Sequence, residues 1–330
     1  MALWSNGAAT GSSRSWGGGL KPQLDTARQR LLAPEHCTDT ADELHHLVLG
    51  SGAMEPVMAR KMWRTLEPYH GLVYFAPEAT AAYEALGVMG FDGYFASRAA
   101  PMGAVPAEVV VATFFNFNPA IVHHAIPAAW SATTPEAILA ARFDAAGRAL
   151  RRASGELLDD ISVPRAAELA RRAADGCTTS GRPLYAGHAG LAWPEDPVLV
   201  LWHAITLLRE FRGDGHIACL VEAGLDGIDA LVFHAASGEV PRAALQGSRQ
   251  WDDASWDASV ASLAARGFVG SDGAFTEAGA ALRQDIEDRT DALALRPWNA
   301  LGEEGCDELR SLVRPLSQAI VRSGTFGLSR

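Results

Sequence analysis

Two stretches of this chain share one frame, and that likeness constrains the fold more than any other feature of the sequence. Gly90-Phe-Asp-Gly-Tyr-Phe-Ala-Ser-Arg-Ala-Ala-Pro-Met-Gly-Ala-Val-Pro106 aligns with Leu225-Asp-Gly-Ile-Asp-Ala-Leu-Val-Phe-His-Ala-Ala-Ser-Gly-Glu-Val-Pro241. The cores Arg-Ala-Ala-x-x-Gly-x-Val-Pro and His-Ala-Ala-x-Gly-x-Val-Pro differ by one residue, which places Arg98 opposite His234. Trp63 precedes Gly87 by 24 residues and Trp202 precedes Gly224 by 22, so the match extends upstream. Downstream, the spans from Trp130 to Gly155 and from Trp298 to Gly324 are of similar length. A fixed-spacing recurrence of this kind predicts two diverged copies of one unit. A cleft between related halves is a common place for a ligand.

The unit itself reads as helical. Met58, Met62, Leu66 and Tyr69 fall four, four and three apart, one apolar helix face. Prolines open further helices near Pro77, Pro106, Pro135 and Pro164, and glycines at 87 and 155 end two of them. The expected class is mostly α: two diverged helical repeats, the second carrying a winged-helix-like segment with a short β-hairpin. Residues 1–54 read as a flexible N-terminal tail with a partly helical extension. Residues 55–155 form the first repeat and 156–195 a linker helix and loop. Residues 196–330 form the second repeat, with the winged-helix-like segment at 251–295.

Within that segment, Asp252 or Ser255 can cap a helix that Gly267 stops. Phe268-Val269 and Ala274-Phe275 flank Gly-Ser-Asp-Gly, a hairpin signal, and Thr276 caps the next helix. The run Leu263 to Arg283 resembles the last helix, wing and following helix of a MarR-like winged helix. Over roughly 56–324 the chain also resembles an actinobacterial family described only as containing a helix-turn-helix domain. The stretches that carry this likeness are Leu66-Glu-Pro-x-His70, Tyr94-Phe-Ala-Ser-Arg-Ala-Ala-Pro101 and Trp202-His-Ala-Ile-Thr-Leu-Leu-Arg-Glu-Phe-Arg-Gly-Asp-Gly-His216. The likeness implies the fold more than an activity.

Charge argues against nucleic acid as the partner. The formal net charge is -11, and an acidic surface repels phosphates unless a local basic face is set into it. From Leu245 to Leu295 the count is four arginines (249, 266, 283, 289) against nine acids (252, 253, 257, 272, 277, 285, 287, 288, 291). A winged helix that reads DNA needs cations on its recognition helix and wing. This one is expected to serve as scaffold or as the contact of a homodimer. Four cysteines with no C-x-x-C pair fit a reducing, cytoplasmic setting and exclude a zinc knuckle. Residues 1–19 lack both a charged start and an apolar stretch, so they do not read as a signal peptide, and no run of 18 apolar residues predicts a membrane span.

The densest chemistry lies between Trp202 and His216. His203 and Glu210 stand seven apart on one helix face, with Thr206 between them. Gly213-Asp-Gly215 is expected to break the helix and turn His216 back toward them. His203, Glu210 and His216 are therefore the candidates for acid–base catalysis, or else members of a salt-bridge network with Arg209 and Arg212. His70, Tyr94, Arg98, Arg209 and His234 are the candidate ligand-binding residues. Arg98 sits in a run too apolar to leave its charge without a carboxylate or an anionic ligand. Tyr74, Phe75, Tyr94, Phe95, Phe114, Phe115 and Phe117 suit either ordinary core or a flat ligand such as a heme. Lack of Cys-x-x-Cys-His excludes covalent heme attachment, and neither metal nor cofactor is specified. The P-loop, H-E-x-x-H and G-x-S-x-G motifs are absent. The function read from the sequence is a small-molecule binder or enzyme with its pocket between the repeats and an arginine anchoring an anionic group. The alternative is a ligand-responsive winged-helix transcription regulator.

Overall fold

A computed structural model describes residues 54–326; the expected tail and extension, apart from Met54, lie outside the described residues. Helices follow one another with short connections. They are α1 (Val57–Gly71), α2 (Pro77–Glu84), α3 (Gly90–Ala99), α4 (Ala107–Phe114), α5 (Pro119–Ala132), α6 (Pro135–Ser154), α7 (Ser162–Asp175), α8 (Pro183–Ala189), α9 (Pro197–Glu222), α10 (Gly227–Ala236), α11 (Arg242–Arg249), α12 (Asp253–Ala265), α13 (Glu277–Leu293), α14 (Arg296–Leu301) and α15 (Glu303–Arg322). Their starts follow from local chemistry. Proline at the first position begins α2, α5, α6, α8 and α9, where its missing N–H leaves nothing unsatisfied. Asn118, Thr134, Asp196, Asp252 and Thr276 cap free backbone amides with their side-chain oxygens.

The central element is α9, 26 residues long, which packs on α7, α1, α8 and α13. The largest core cluster surrounds it and takes side chains from both ends of the chain: Met62 and Leu66 of α1 meet Leu309, Val313 and Ile320 of α15. Two smaller cores stand apart from it. Phe95, Val110, Phe114, Val122 and Ile126 unite α3, α4 and α5. Leu231, Leu245, Trp256 and Leu263 unite α10, α11 and α12. These two three-helix units share several local features. Each opens on glycine (Gly90, Gly227) and has proline before its second helix (Pro106, Pro241). Each also bends between its second and third helices at a non-glycine residue with positive φ, Phe115 at 59° and Gln250 at 54°. No other described non-glycine residue has a positive φ, and such a conformation persists only where surrounding contacts impose it.

Two features differ from what the sequence predicts. The β-hairpin is reduced to one antiparallel bridge, Val269–Phe275, closed by Gly270 N to Ala274 O at 2.8 Å; no strand occurs among the described residues. The eleven residues 266–276 between α12 and α13 must also make the turn, which leaves no length for a ladder. Nor does α9 break at Gly213-Asp-Gly215; the helix runs through them. Gly215 serves a different need, because a Cβ there would come within 2.6 Å of the Arg182 guanidinium. No described helix is long and apolar enough to cross a membrane.

Candidate functional site

Four helices and a turn bring one polar cluster into the interior beside the first three-helix unit. The last turn of α1 supplies Glu67 and His70, and the 3-10 turn after it supplies Tyr74. Tyr94 and Arg98 stand one turn apart on α3, while α6 supplies Arg142 and α9 supplies Thr206, Arg209 and Glu210. Of the residues singled out from sequence, the structure brings His70, Tyr94, Arg98, Arg209 and Glu210 together.

The hydrogen bonds fix most protons. Thr206 Oγ1 donates to the Trp202 carbonyl at 2.8 Å, so it accepts from His70 Nδ1 at 2.9 Å. His70 Nε2 is then an acceptor and takes the Tyr74 hydroxyl at 3.1 Å. Arg142 Nη2 donates to that same hydroxyl at 3.1 Å. A directed relay therefore runs from Arg142 through Tyr74 and His70 to Thr206. Burial drives the His70 pKa well down, so its ring is neutral. Glu210 Oε2 accepts from Arg209 Nη1 at 2.7 Å and from Arg98 Nη2 at 3.3 Å. Although burial pushes its carboxyl up, the two guanidiniums hold it well below the usual carboxylate range. A carboxylate so held is a poor base; Glu210 anchors charge and does not move protons.

Cations outnumber their partners. Arg98, with a side chain 9% exposed, shares one carboxylate oxygen with Arg209, donates to the Tyr94 hydroxyl at 3.2 Å and lies 4.3 Å over the Phe114 ring. Arg142 is fully buried and forms no ion pair among the described residues; it packs 5.0 Å from the Tyr74 ring centre and 5.4 Å from that of Trp202. Its Nε and Nη1, Arg98 Nε and Glu210 Oε1 have no hydrogen-bond partner. Buried polar groups are ordinarily paired, and guanidiniums most of all. Next to the cluster a cavity of about 50 Å³ is lined by Tyr74, Tyr83, Val88, Gly90, Tyr94 and Ser97. The hydroxyls of its two lining residues Tyr74 and Tyr94 meet Arg142 and Arg98.

Sequence reasoning missed Arg142 and His188. His188, on α8, is buried with Nε2 unpartnered; burial lowers its pKa to about 3 against the pull of Glu210. A signal for Arg142 existed: Ile138, Arg142, Ala145 and Ala149 follow four, three and four apart on the buried stripe of α6.

Three candidates lie elsewhere. His203 shares the helix with Glu210 but sits edge-on to Trp193 at 4.8 Å and 5.6 Å from Phe143, with neither ring nitrogen partnered; burial lowers its pKa to about 4. His216 does not turn back. Six residues beyond Glu210 on an unbroken helix it leaves the axis about 120° away from Glu210, and its Nδ1 lies 2.9 Å from Thr290 Oγ1 of α13. His234 is 36% exposed, 3.6 Å from Glu239, and does not occupy the place of Arg98 in the cluster. The expected set His203, Glu210 and His216 is thus dispersed: the unbroken α9 carries His216 to another face, and His203, two turns before Glu210, meets Trp193 and Phe143 instead of the arginines. Arg212 likewise pairs away from the site, with Asp291 at 2.7 Å.

One expected result follows for pH. His70, His188, His203 and His216 are all held neutral by burial, the last three to about 3, 4 and 4. A depressed folded pKa means the unfolded chain takes up protons first as pH falls. Their contribution is complete above about 6.5 and is lost as the pH falls through that value toward 3–4. Burial pushes Asp214 up to about 6 and also raises Glu67, Asp229 and Asp291, which act in the opposite sense and offset part of the effect, while His234, lowered by burial, adds to it. Thermal melts should therefore fall steeply between pH 6.5 and 4, well before most carboxylates titrate. A flat profile there would show these rings to be exposed.

The comparison with known sequences ends in one family. The pattern of a helix-turn-helix family matches residues 59–327, nearly all of the described chain. Neither a curated protein nor a solved structure shows a match.

Proposed function

Because this chain belongs to a helix-turn-helix family, we propose that it is a ligand-responsive regulator whose buried arginine–tyrosine site takes a small anionic molecule. The observation that carries this reading is Arg142. It is fully buried, makes no ion pair among the described residues, and has two guanidinium nitrogens without a hydrogen-bond partner. Arg98, Arg142 and Arg209 face only Glu210 and the one-third-exposed Glu67 as carboxylates. One further negative charge balances the set, and an incoming anion supplies both the charge and the missing acceptors. The unpaired Glu210 Oε1 favours an anion that also bears an N–H or O–H donor. An acid–base enzyme is less well supported, since Glu210 is locked between two arginines and His203 and His216 are remote. Native mass spectrometry of the full chain, followed by removal of any bound small molecule and rebinding to wild type and Arg142→Met, tests the reading. Rebinding to the wild type alone is the expected result. Equal rebinding to both would place the ligand elsewhere.

Direct reading of DNA is a separate matter. Family membership favours it, but the helix that follows the turn in the second unit opposes it. Asp252, Asp253, Ala254, Asp257, Ala258 and Ala261 are exposed at α12, and Arg242 is engaged by Asp253 and Asp257 at 2.8 and 2.9 Å. A surface with so little free cationic charge gains little from counterion release. In fluorescence anisotropy at physiological salt, the full chain is expected to bind random duplex DNA no tighter than about 10⁻⁴ M, the weak end of non-specific binding. Salt-dependent nanomolar binding to any duplex would contradict this and make DNA the direct partner.

A further inference from the structure

The cations around the site do not all come from the first three-helix unit. Arg249 ends α11, at the turn of the second unit, and its guanidinium lies 4.5 Å over the Phe117 ring. Phe117 in turn packs 5.4 Å from Tyr94, whose hydroxyl receives Arg98. Arg249 Nε donates to Asn116 Oδ1 at 3.2 Å and Nη1 to Ser248 Oγ at 3.0 Å. It has no carboxylate partner among the described residues; burial lowers its pKa, Tyr94 opposes that shift, and Arg98 and Arg209 add charge of its own sign. Like charges in a partly desolvated space repel strongly unless an anion sits among them.

Around Arg249 the two units dock turn against turn. Asn118 N donates to the Arg249 carbonyl at 3.1 Å, Asn118 Nδ2 to the Gln250 carbonyl at 2.8 Å, and Trp251 Nε1 to the Asn116 carbonyl at 3.0 Å. Gly227 lies so near that any Cβ there would run into the Phe115 carbonyl. Both positive-φ residues, Phe115 and Gln250, belong to these facing turns. The segment that links the two units is therefore the same one that aims a cation toward the site.

We infer that Arg249 is the fourth cation of the anion site, and that a bound anion, as a counter-charge shared by Arg249 and Arg98 beside Phe117 and Tyr94, tightens the docking of the two turns. This rests on the reading of the arginine–tyrosine cluster as an anion site. It adds a residue from the second unit and a route by which occupancy reaches both three-helix units. The coupling is reciprocal: loosening the turns must weaken the anion.

Hydrogen exchange on the full chain, with acetate, benzoate or inorganic phosphate against chloride at equal ionic strength, tests it in wild type, Arg249→Gln and Arg249→Lys. At least one probe should slow exchange at 94–98 and 206–210 in all three proteins. In the wild type it should also slow exchange at 245–251 by roughly tenfold. Arg249→Gln should lose that second effect and Arg249→Lys should keep it. Protection at 94–98 without protection at 245–251, or equal protection at 245–251 in Arg249→Gln, overturns the inference and leaves the anion site standing. No protection of 94–98 or 206–210 by any probe overturns both.

Discussion

Glu210→Ala should melt well below the wild type, by about 10 °C for a domain of this size. Its side chain is 1% exposed and its Oε2 is the one carboxylate oxygen within hydrogen-bond reach of both Arg98 and Arg209. Removing it leaves Arg98 buried beside Tyr94 and Phe114 with no carboxylate, and Arg209 with only Glu67 at 3.8 Å, a loss of roughly 3–5 kcal/mol. The loss should shrink in Glu210→Gln, whose amide oxygen still accepts a hydrogen bond but brings no charge. A Glu210→Ala protein that melted near the wild type would mean that Arg98 and Arg209 reach solvent on their own. The Arg98–Glu210–Arg209 arrangement would then not be the scaffold of the site.

Arg142→Met should have the opposite sign. A fully buried cation without a carboxylate is a standing electrostatic cost that one hydrogen bond to Tyr74 and two aromatic faces only partly offset. Methionine fills a similar volume and keeps the contact with Trp202. We expect the ligand-free variant to be more stable than the wild type by roughly 1–4 kcal/mol, and to have lost its response to small anions. A site whose removal stabilises the empty protein is kept for binding, since nothing in folding requires it. Destabilisation comparable to that of Glu210→Ala would instead make Arg142 a structural member of the core. The two variants together separate the residue that holds the cluster from the residue that waits for a ligand.

Much of this protein is written in short-range sequence. Proline at first positions, Asn118, Thr134, Asp252 and Thr276 as caps, and glycines after helix ends place the helices, because each of these effects is decided within one turn of chain. The shared frame around Arg98 and His234 falls on α3 and α10, each followed by a helix that a proline precedes. It did not anticipate that the turns of the two units face each other, with the Phe115 carbonyl against Gly227 and the Gln250 carbonyl accepting from Asn118. Arg98 could be seen to need an anionic partner. That the partner is Glu210, 112 residues away and shared with Arg209, is a fact of packing. Equal spacing on α9 made His203 and Glu210 look like companions, yet one lies among Trp193 and Phe143 and the other among arginines. Helical periodicity determines only the direction in which a side chain leaves its axis. What it meets there is decided by which other helix has been packed against that face, and those contacts join residues whose separation along the chain leaves no local trace.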